Sequence, residues 1–316
     1  MIKSNVAALL IEDVLRILAE RLAATKPLRR CGGWRFGFDE QRLSAAGRAR
    51  LRLWRLGKVG ILRRPVRVRW YEGRELLVWL GNDLSRCVYV GGRYDPNELV
   101  FLSEVLRAGH VVIDAGANEG LYTVFAARRV GRAGRVVAVE PSRREFERLR
   151  RNVEHNRLDN VTVVRAALSD RDGFAELHIA DVEHAGQNTL GRFMYPGVCE
   201  VGREAVKSLR LDRAVEELGL TRVDVIKMDI EGAEVSALRG AGLVLQRYRP
   251  VLLLEAAEQA LAAQGASVSE MFELLAAFDY YVFEFDPVSG EPVPCKWSGG
   301  GEARNLVAVP GERREV

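Results

Sequence analysis

One stretch restricts the fold of this chain more than any other: Asp114-Ala115-Gly116-Ala117-Asn118-Glu119-Gly120. It follows the apolar run His110-Val111-Val112-Ile113 and precedes Leu121-Tyr122-Thr123-Val124-Phe125-Ala126-Ala127. The first run reads as a buried strand and the second as the opening of a helix. Strand, glycine turn and helix form the loop on which α/β folds seat a nucleotide cofactor. Gly116 permits a sharp turn with the backbone close to a ligand, and Gly120 permits tight packing of helix on strand. A dinucleotide site requires G-x-G-x-x-G here, so that the backbone can approach a pyrophosphate. Asn118 stands in place of the middle glycine, and Asp114 closes the strand with a charge that repels phosphate. The loop therefore argues against a nicotinamide-dependent oxidoreductase. It suits a ligand with an ammonium group and no phosphate, and S-adenosylmethionine (SAM) is a nucleotide cofactor of that kind.

The same device recurs along the chain. Arg135-Val136-Val137-Ala138-Val139 is a second apolar run and ends at Glu140, 26 residues after Asp114. That spacing is close to the one at which a carboxylate accepts hydrogen bonds from ribose hydroxyls. Val161-Thr162-Val163-Val164 leads to a turn at Ala167-Leu168-Ser169, a place for an adenine ring beyond a strand end. Val223 to Met228 is followed by Asp229-Ile230-Glu231-Gly232-Ala233-Glu234, so Lys227, Asp229, Glu231 and Glu234 flank one buried strand. Charges at such a place are costly unless they are paired or bind something. Pro250-Val251-Leu252-Leu253-Leu254 stops at Glu255. Asp114, Glu140, Asp229 and Glu255 are thus expected along one rim of one sheet.

These motifs together, D-x-G-A-N-x-G, Val139-Glu140-Pro141, Ala167-Leu168-Ser169-Asp170, the block Lys227 to Glu234 and Arg249 to Glu255, resemble the FkbM family of SAM-dependent methyltransferases. The likeness covers roughly residues 94 to 286. It implies an α/β class I methyltransferase fold, Rossmann-like, with a seven-stranded, mostly parallel sheet. It implies SAM as methyl donor and, as acceptor, a hydroxyl of a sugar, polyketide or related small molecule. By the resemblance Asp114, Gly116, Asn118 and Glu140 hold the cofactor; Gly120 in the same loop and Ala167 and Leu168 at the third strand's turn are expected with them. Many family members carry a His shortly after the acid of the fifth strand. Here the sequence reads Ala256-Ala257-Glu258.

The remainder divides into a helical cap or dimerisation region over 1–63, a small β-meander over 64–93, and the methyltransferase domain over 94–316. The meander is expected from Val66 to Tyr71, turning at Glu72-Gly73 into Glu75 to Leu80, with a third strand at Arg86 to Val90. A loop is expected around Cys31-Gly32-Gly33-Trp34 and a glycine-rich one from Ser298 to Gly301. Asn305 to Val309 is expected to pair with Tyr280 to Phe285. No apolar run reaches the roughly 18 residues of a membrane span, and four scattered cysteines give no zinc or disulfide pattern. We expect a cytoplasmic enzyme, with a homodimer possible through the apolar stripe of the first helix.

Arginine outnumbers lysine 41 to 6, and basic residues crowd Arg48 to Arg69. This leaves an RNA methyltransferase with a basic clamp as one alternative. An inactive SAM-binding scaffold is another, against which the acids Asp229 and Glu231 argue. Transfer of a methyl group to a hydroxyl requires loss of its proton. Asp229 or Glu231 can take it. So can His184, in the polar segment His184-Ala185-Gly186-Gln187-Asn188-Thr189-Leu190 that resembles a family loop near the active site. A divalent metal held by Asp229 and neighbouring acids is possible but not favoured. Asn188, Lys227 and Glu255 are candidates for contact with the acceptor.

Overall fold

The structure is a computed structural model that describes residues 2–32, 39–297 and 303–313, and side chains from residue 9 onward. Gly33, Trp34 and the expected loop Ser298 to Gly301 lie outside the described residues, save for the loop's flanks.

Eight strands form the central sheet: β3 (Val111–Ala115), β4 (Arg135–Val139), β5 (Val161–Val164), β9 (Val225–Met228), β10 (Val251–Ala256), β11 (Tyr280–Phe285), β12 (Pro292–Pro294) and β13 (Arg304–Pro310). Their order across the sheet is β12-β11-β13-β10-β9-β3-β4-β5. The run from β10 to β5 is parallel, and β13 lies antiparallel between β10 and β11. The expected pairing of Asn305–Val309 with Tyr280–Phe285 is present, with Val282 opposite Ala308. The eighth strand is the short β12, which extends the expected seven at the antiparallel edge.

Helices α5 (Leu121–Val130), α6 (Arg143–His155), α7 (Leu211–Glu217), α8 (Glu234–Arg239), α9 (Gly242–Tyr248), α10 (Glu258–Ala263) and α11 (Val268–Ala277) connect the strands. They cover both faces, which explains why the strands read as continuous apolar runs. Alternate residues feed two separate cores. Val112, Val136, Val225, Val251 and Leu253 pack on one face. Ile113, Val137, Ile226, Met228, Leu252 and Leu254 pack on the other. At roughly 25 cal/mol per Å² of apolar surface, burying one such side chain contributes about 1.5–3 kcal/mol.

The N-terminal part is α1 (Ile2–Leu22), α2 (Ala45–Lys58), the hairpin β1 (Val66–Arg69) with β2 (Glu75–Val78), α3 (Asp83–Ser85) and α4 (Pro96–Val105). The hairpin turns at Glu72-Gly73 as expected. The third meander strand does not form: Arg86–Gly91 is a π-helical turn continuing α3. Cys87, Val88, Tyr89 and Val90 are buried in succession, and a short all-apolar run carries no periodicity to separate helix from strand. Residues Leu10, Ile11, Val14, Ile17 and Leu18 of α1 face outward, 45–66% exposed.

A second sheet was not foreseen. The strands β6 (Ala167–Leu168), β7 (Gly173–Ala180) and β8 (Glu200–Leu209) associate in the order β6-β8-β7. The β7–β8 ribbon carries the 181–199 connection across the C-terminal ends of the central strands, and with it the segment expected to approach the site.

Candidate functional site

Where the parallel strands end, one cavity of about 1060 Å³ opens. Single-ligand pockets run to about 1,000 Å³, so this one has room for a nucleotide cofactor beside a second molecule. It is bounded by the loop after β3, the acid after β4, strand β6, the loops after β9 and β10, the start of α4, and Gln187, Asn188 and Tyr195 of the crossing connection.

The loop after β3 is shaped by two left-handed residues, Gly116 (φ +70°) and Asn118 (φ +48°). A Cβ on Gly116 would sit 1.8 Å from the Asp229 carbonyl oxygen, so only glycine lets the loops after β3 and β9 meet. Gly120 makes room for a different neighbour than expected: its Cβ would meet Leu149 of α6 at 2.8 Å. The backbone N–H of Asn118 donates to Glu140 Oε2 at 2.9 Å, and that of Ser142 to Glu140 Oε1 at 2.9 Å. Glu140 is 5% exposed. Burial pushes its carboxyl up to about 8, and the nearby Glu145 adds to this, against the two backbone donors. Gly116, Asn118, Glu140, Ala167 and Leu168 all line the cavity.

Asp114 does not line it. The side chain is 1% exposed beneath the loop, where Oδ2 accepts from Thr123 Oγ1 at 2.5 Å and Oδ1 lies 3.8 Å from Lys227 Nζ. The residue is inward-facing on β3 and meets the cavity wall through Lys227. Gly120 is likewise a packing residue behind the wall. Lys227, 6% exposed, donates to the Gly116 carbonyl at 3.0 Å and lies 3.4 Å from Asp229 Oδ2. It ties the ends of β3 and β9 together.

The opposite side is acidic. Asp229, Glu231 and Glu255 each offer an oxygen within 4.8 Å of the others. Glu231 adopts φ +53° and is fixed through its backbone, since its carbonyl accepts from Thr189 Oγ1 at 2.8 Å and Gln264 Nε2 at 2.9 Å. Burial, then the Asp229 charge, holds the carboxyls of Glu231 and Glu255 well above the usual range. Glu234 turns away and accepts from the Ile230 N–H at 2.8 Å, closing its own loop.

Several wall residues escaped the sequence reading. Asp95, in left-handed backbone before α4, accepts from Tyr122 Oη at 2.9 Å. Glu98, in the first turn of α4, is 6% exposed and its Oε1 takes the Asn305 amide at 3.0 Å, 207 residues away in sequence. The Asp95-Pro96 pair was a legible signal of a constrained helix start. Nothing local announces Asn305 or Tyr195.

His184 is not brought to the acids. Its Nδ1 bonds Asp181 Oδ2 at 2.9 Å, off the cavity wall. Asn188 reaches the cavity, but its amide is occupied as a strut: Oδ1 accepts from the Ala180 N–H at 2.9 Å and Nδ2 donates to Glu145 at 3.0 Å. Some of the basic N-terminal residues are paired, Arg64 with Asp13, Arg67 with Glu20, Arg55 with Glu40 and Lys58 with Glu183. Among the described residues no helix is long and apolar enough to cross a membrane.

A family model described as the methyltransferase FkbM domain matches residues 114–282, and the chain belongs to that family. With this membership, the strand order is that of the class I methyltransferase fold. The chain is 29% identical to the AMB antimetabolite synthetase AmbE of Pseudomonas aeruginosa over 47% of its own length but only 8% of that protein. It is 27% identical to the 2-O-methyltransferase NoeI of Sinorhizobium fredii, covering 54% of this chain and 72% of NoeI. It is also 27% identical to the hexuronic acid methyltransferase AglP of Haloferax volcanii, covering 65% of this chain and 80% of AglP. A crystal structure of methyltransferase FkbM from Methylobacillus flagellatus aligns with a TM-score of 0.44 and 19% identity, over 68% of this chain and 48% of that one.

Proposed function

We propose that this FkbM-family chain is a SAM-dependent methyltransferase whose acceptor is a hydroxyl of a sugar or related small molecule. The observation that carries the reading is the two-sided cavity. Its one side is the glycine loop closed on Glu140, and its other side is the acid cluster at the ends of β9 and β10. The relatives named as a 2-O-methyltransferase and a hexuronic acid methyltransferase support a sugar-like acceptor.

The residues fit the cofactor. Gly116 leaves the loop backbone open to a ligand, and Asn118 has a buried amide oxygen without a partner. Glu140 is placed to accept ribose hydroxyls, and Ala167 and Leu168 offer an apolar wall to adenine. SAM, when bound, supplies an electrophilic methyl group on sulfur. The chain must align an acceptor oxygen with that carbon, and orientation is worth several kcal/mol of barrier. The chain's own part would be to hold the acceptor oxygen in line with that methyl group and to give the departing hydroxyl proton a base. Asp229 and Glu231 line that region, and burial raises the proton affinity of Glu231, which makes it the stronger proton acceptor. His184 is too committed to Asp181 to serve without a loop rearrangement.

The pairing of Arg55, Lys58, Arg64 and Arg67 with acids reduces the free positive charge that an RNA clamp would use. Four free cysteines suit a reducing, cytoplasmic setting, and the outward stripe of α1 suits self-association. The test is turnover with SAM against a panel of mono- and oligosaccharides, methyl addition being read by mass spectrometry. Asp229→Asn should lower turnover by about 100-fold or more while SAM affinity stays within a few-fold. Transfer to nitrogen, or wild-type turnover in the variant, would overturn the reading.

A further inference from the structure

We propose that Asp229, Glu231 and Glu255 bind one divalent cation of the Mg²⁺, Mn²⁺ or Ca²⁺ type, which positions the acceptor hydroxyl. The proposal deepens the methyl-transfer reading and rests on it for its purpose, though not for its test.

Geometry comes first. Two ligands of one ion cannot lie farther apart than twice the metal–oxygen distance, about 4.2 Å for Mg²⁺ and about 4.8 Å for Ca²⁺. The three carboxylate oxygens lie within 4.8 Å of one another. The oxygens are close enough for one hard cation to draw them together by side-chain movement, less for a Ca²⁺-sized ion than for a smaller one. The three residues sit at the ends of the adjacent parallel strands β9 and β10, where Met228 pairs with Leu254. Their backbones are held by the sheet and, for Glu231, by Thr189 and Gln264. An all-carboxylate set selects hard cations.

Charge comes second. Among the described residues lining the cavity the cations are Lys227 and Arg304. Lys227 is shared between Asp229 and Asp114, and Arg304 is taken by Glu284 at 2.8 Å. Three carboxylates thus face each other with a fraction of one positive charge.

A separate sign of a missing ligand lies elsewhere in the wall of the same cavity. Glu98 is 6% exposed and lines the cavity, yet its Oε2 has no hydrogen-bond partner. Its Oε1 is bonded to Asn305, which stands opposite Glu255 in the β10–β13 ladder. Glu255 Oε2 is also shut off from water without a partner. Buried carboxylate oxygens left without donors are expensive. The second metal-capable group, Asp181, Glu183 and His184, differs on this point. The Asp181 oxygens accept from the N–H groups of Glu183, His184 and Cys199 and from the His184 ring. That group is a satisfied turn and calls for no ion.

An ion held by three carboxylates keeps open positions for acceptor oxygens. It would lower the hydroxyl pKa, so that the proton departs to solvent or a carboxylate as the methyl group arrives. Such a site favours acceptors with neighbouring hydroxyls that bind it as a pair.

The test is a titration of the chelator-treated chain with Mn²⁺, free ion being counted by electron paramagnetic resonance. One Mn²⁺ per chain is expected, displaced by Mg²⁺ or Ca²⁺. Glu255→Gln should weaken binding at least tenfold, and His184→Gln should leave it unchanged. Glu231→Gln carries the same test if Glu255→Gln does not fold. Absence of binding up to millimolar Mn²⁺, binding untouched by both Gln variants, or binding lost in His184→Gln overturns the proposal. SAM affinity, measured on the same samples by calorimetry, separates the two readings. SAM binding without Mn²⁺ binding removes the metal site alone, whereas Mn²⁺ binding without SAM binding leaves the site standing and removes the methyltransferase reading.

Discussion

Replacing Glu140 with Gln should change the sign of its effect on stability between acid and alkaline pH. In the wild type both carboxylate oxygens of Glu140 accept backbone N–H groups at 2.9 Å. Burial, reinforced by Glu145, lifts its pKa from 4.5 to about 8. The folded state therefore holds this proton more tightly than the unfolded chain. The resulting stability is complete below pH 4.5 and is lost as pH rises through about 8. Between pH 5 and pH 8 the loss is roughly 3 to 4 kcal/mol, at about 1.36 kcal/mol per pKa unit. Glutamine cannot titrate. Its amide oxygen keeps one N–H, but its NH₂ group is set against the other, which costs about 1–3 kcal/mol. At pH 5 the variant should be less stable by that amount, and by pH 8 the gap should close or reverse. Urea melts of both proteins from pH 5 to pH 8 measure it. Other titrating acids cancel in the difference between the two proteins, with Glu145 the main one coupled to the change. A stability gap that stays constant over this range would refute the assignment of the buried proton to Glu140. In the wild type, SAM affinity should also rise toward pH 8, because the ionised carboxylate is the better acceptor for hydroxyls.

Gly116→Ala places a methyl group 1.8 Å from the Asp229 carbonyl in left-handed backbone. It should cost about 1–3 kcal/mol in stability and at least tenfold in SAM affinity by calorimetry; wild-type affinity would contradict the close approach of the two loops. Lys227→Met leaves Asp114 buried without its cation. Breaking a buried pair from one side costs about 3–5 kcal/mol, so a loss under about 1 kcal/mol in a urea melt would show that Asp114 is protonated in the fold.

The central strands were legible because burial on both faces leaves unbroken apolar runs, each stopped by an acid at the rim. That placed Glu140, Asp229 and Glu255 on one edge, where they stand. The β7–β8 ribbon was hidden because much of it faces solvent, and Glu200, Arg203, Glu204 and Lys207 make β8 read as a polar loop. The π-helical turn at Arg86–Gly91 was hidden for the opposite reason, being apolar and buried from Cys87 onward. Asp114 stands at the strand end as expected, yet beneath the cavity wall: sequence shows that an acid ends a strand, but not that its side chain points to a buried lysine. His184 and Asn188 sit in the right segment, yet their partners Asp181 and Glu145 decide what they are free to do. The Glu98–Asn305 contact joins the two ends of the domain, a distance no local pattern spans.

The most direct measurement is calorimetric titration of SAM into the wild-type chain and into Glu140→Gln at pH 8. The account predicts one site per chain in the micromolar range, weakened at least tenfold in a variant whose circular dichroism matches the wild type. Failure of the well-folded wild type to bind SAM, or equal binding by the two proteins, would contradict the placement of the cofactor on the loop that closes on Glu140.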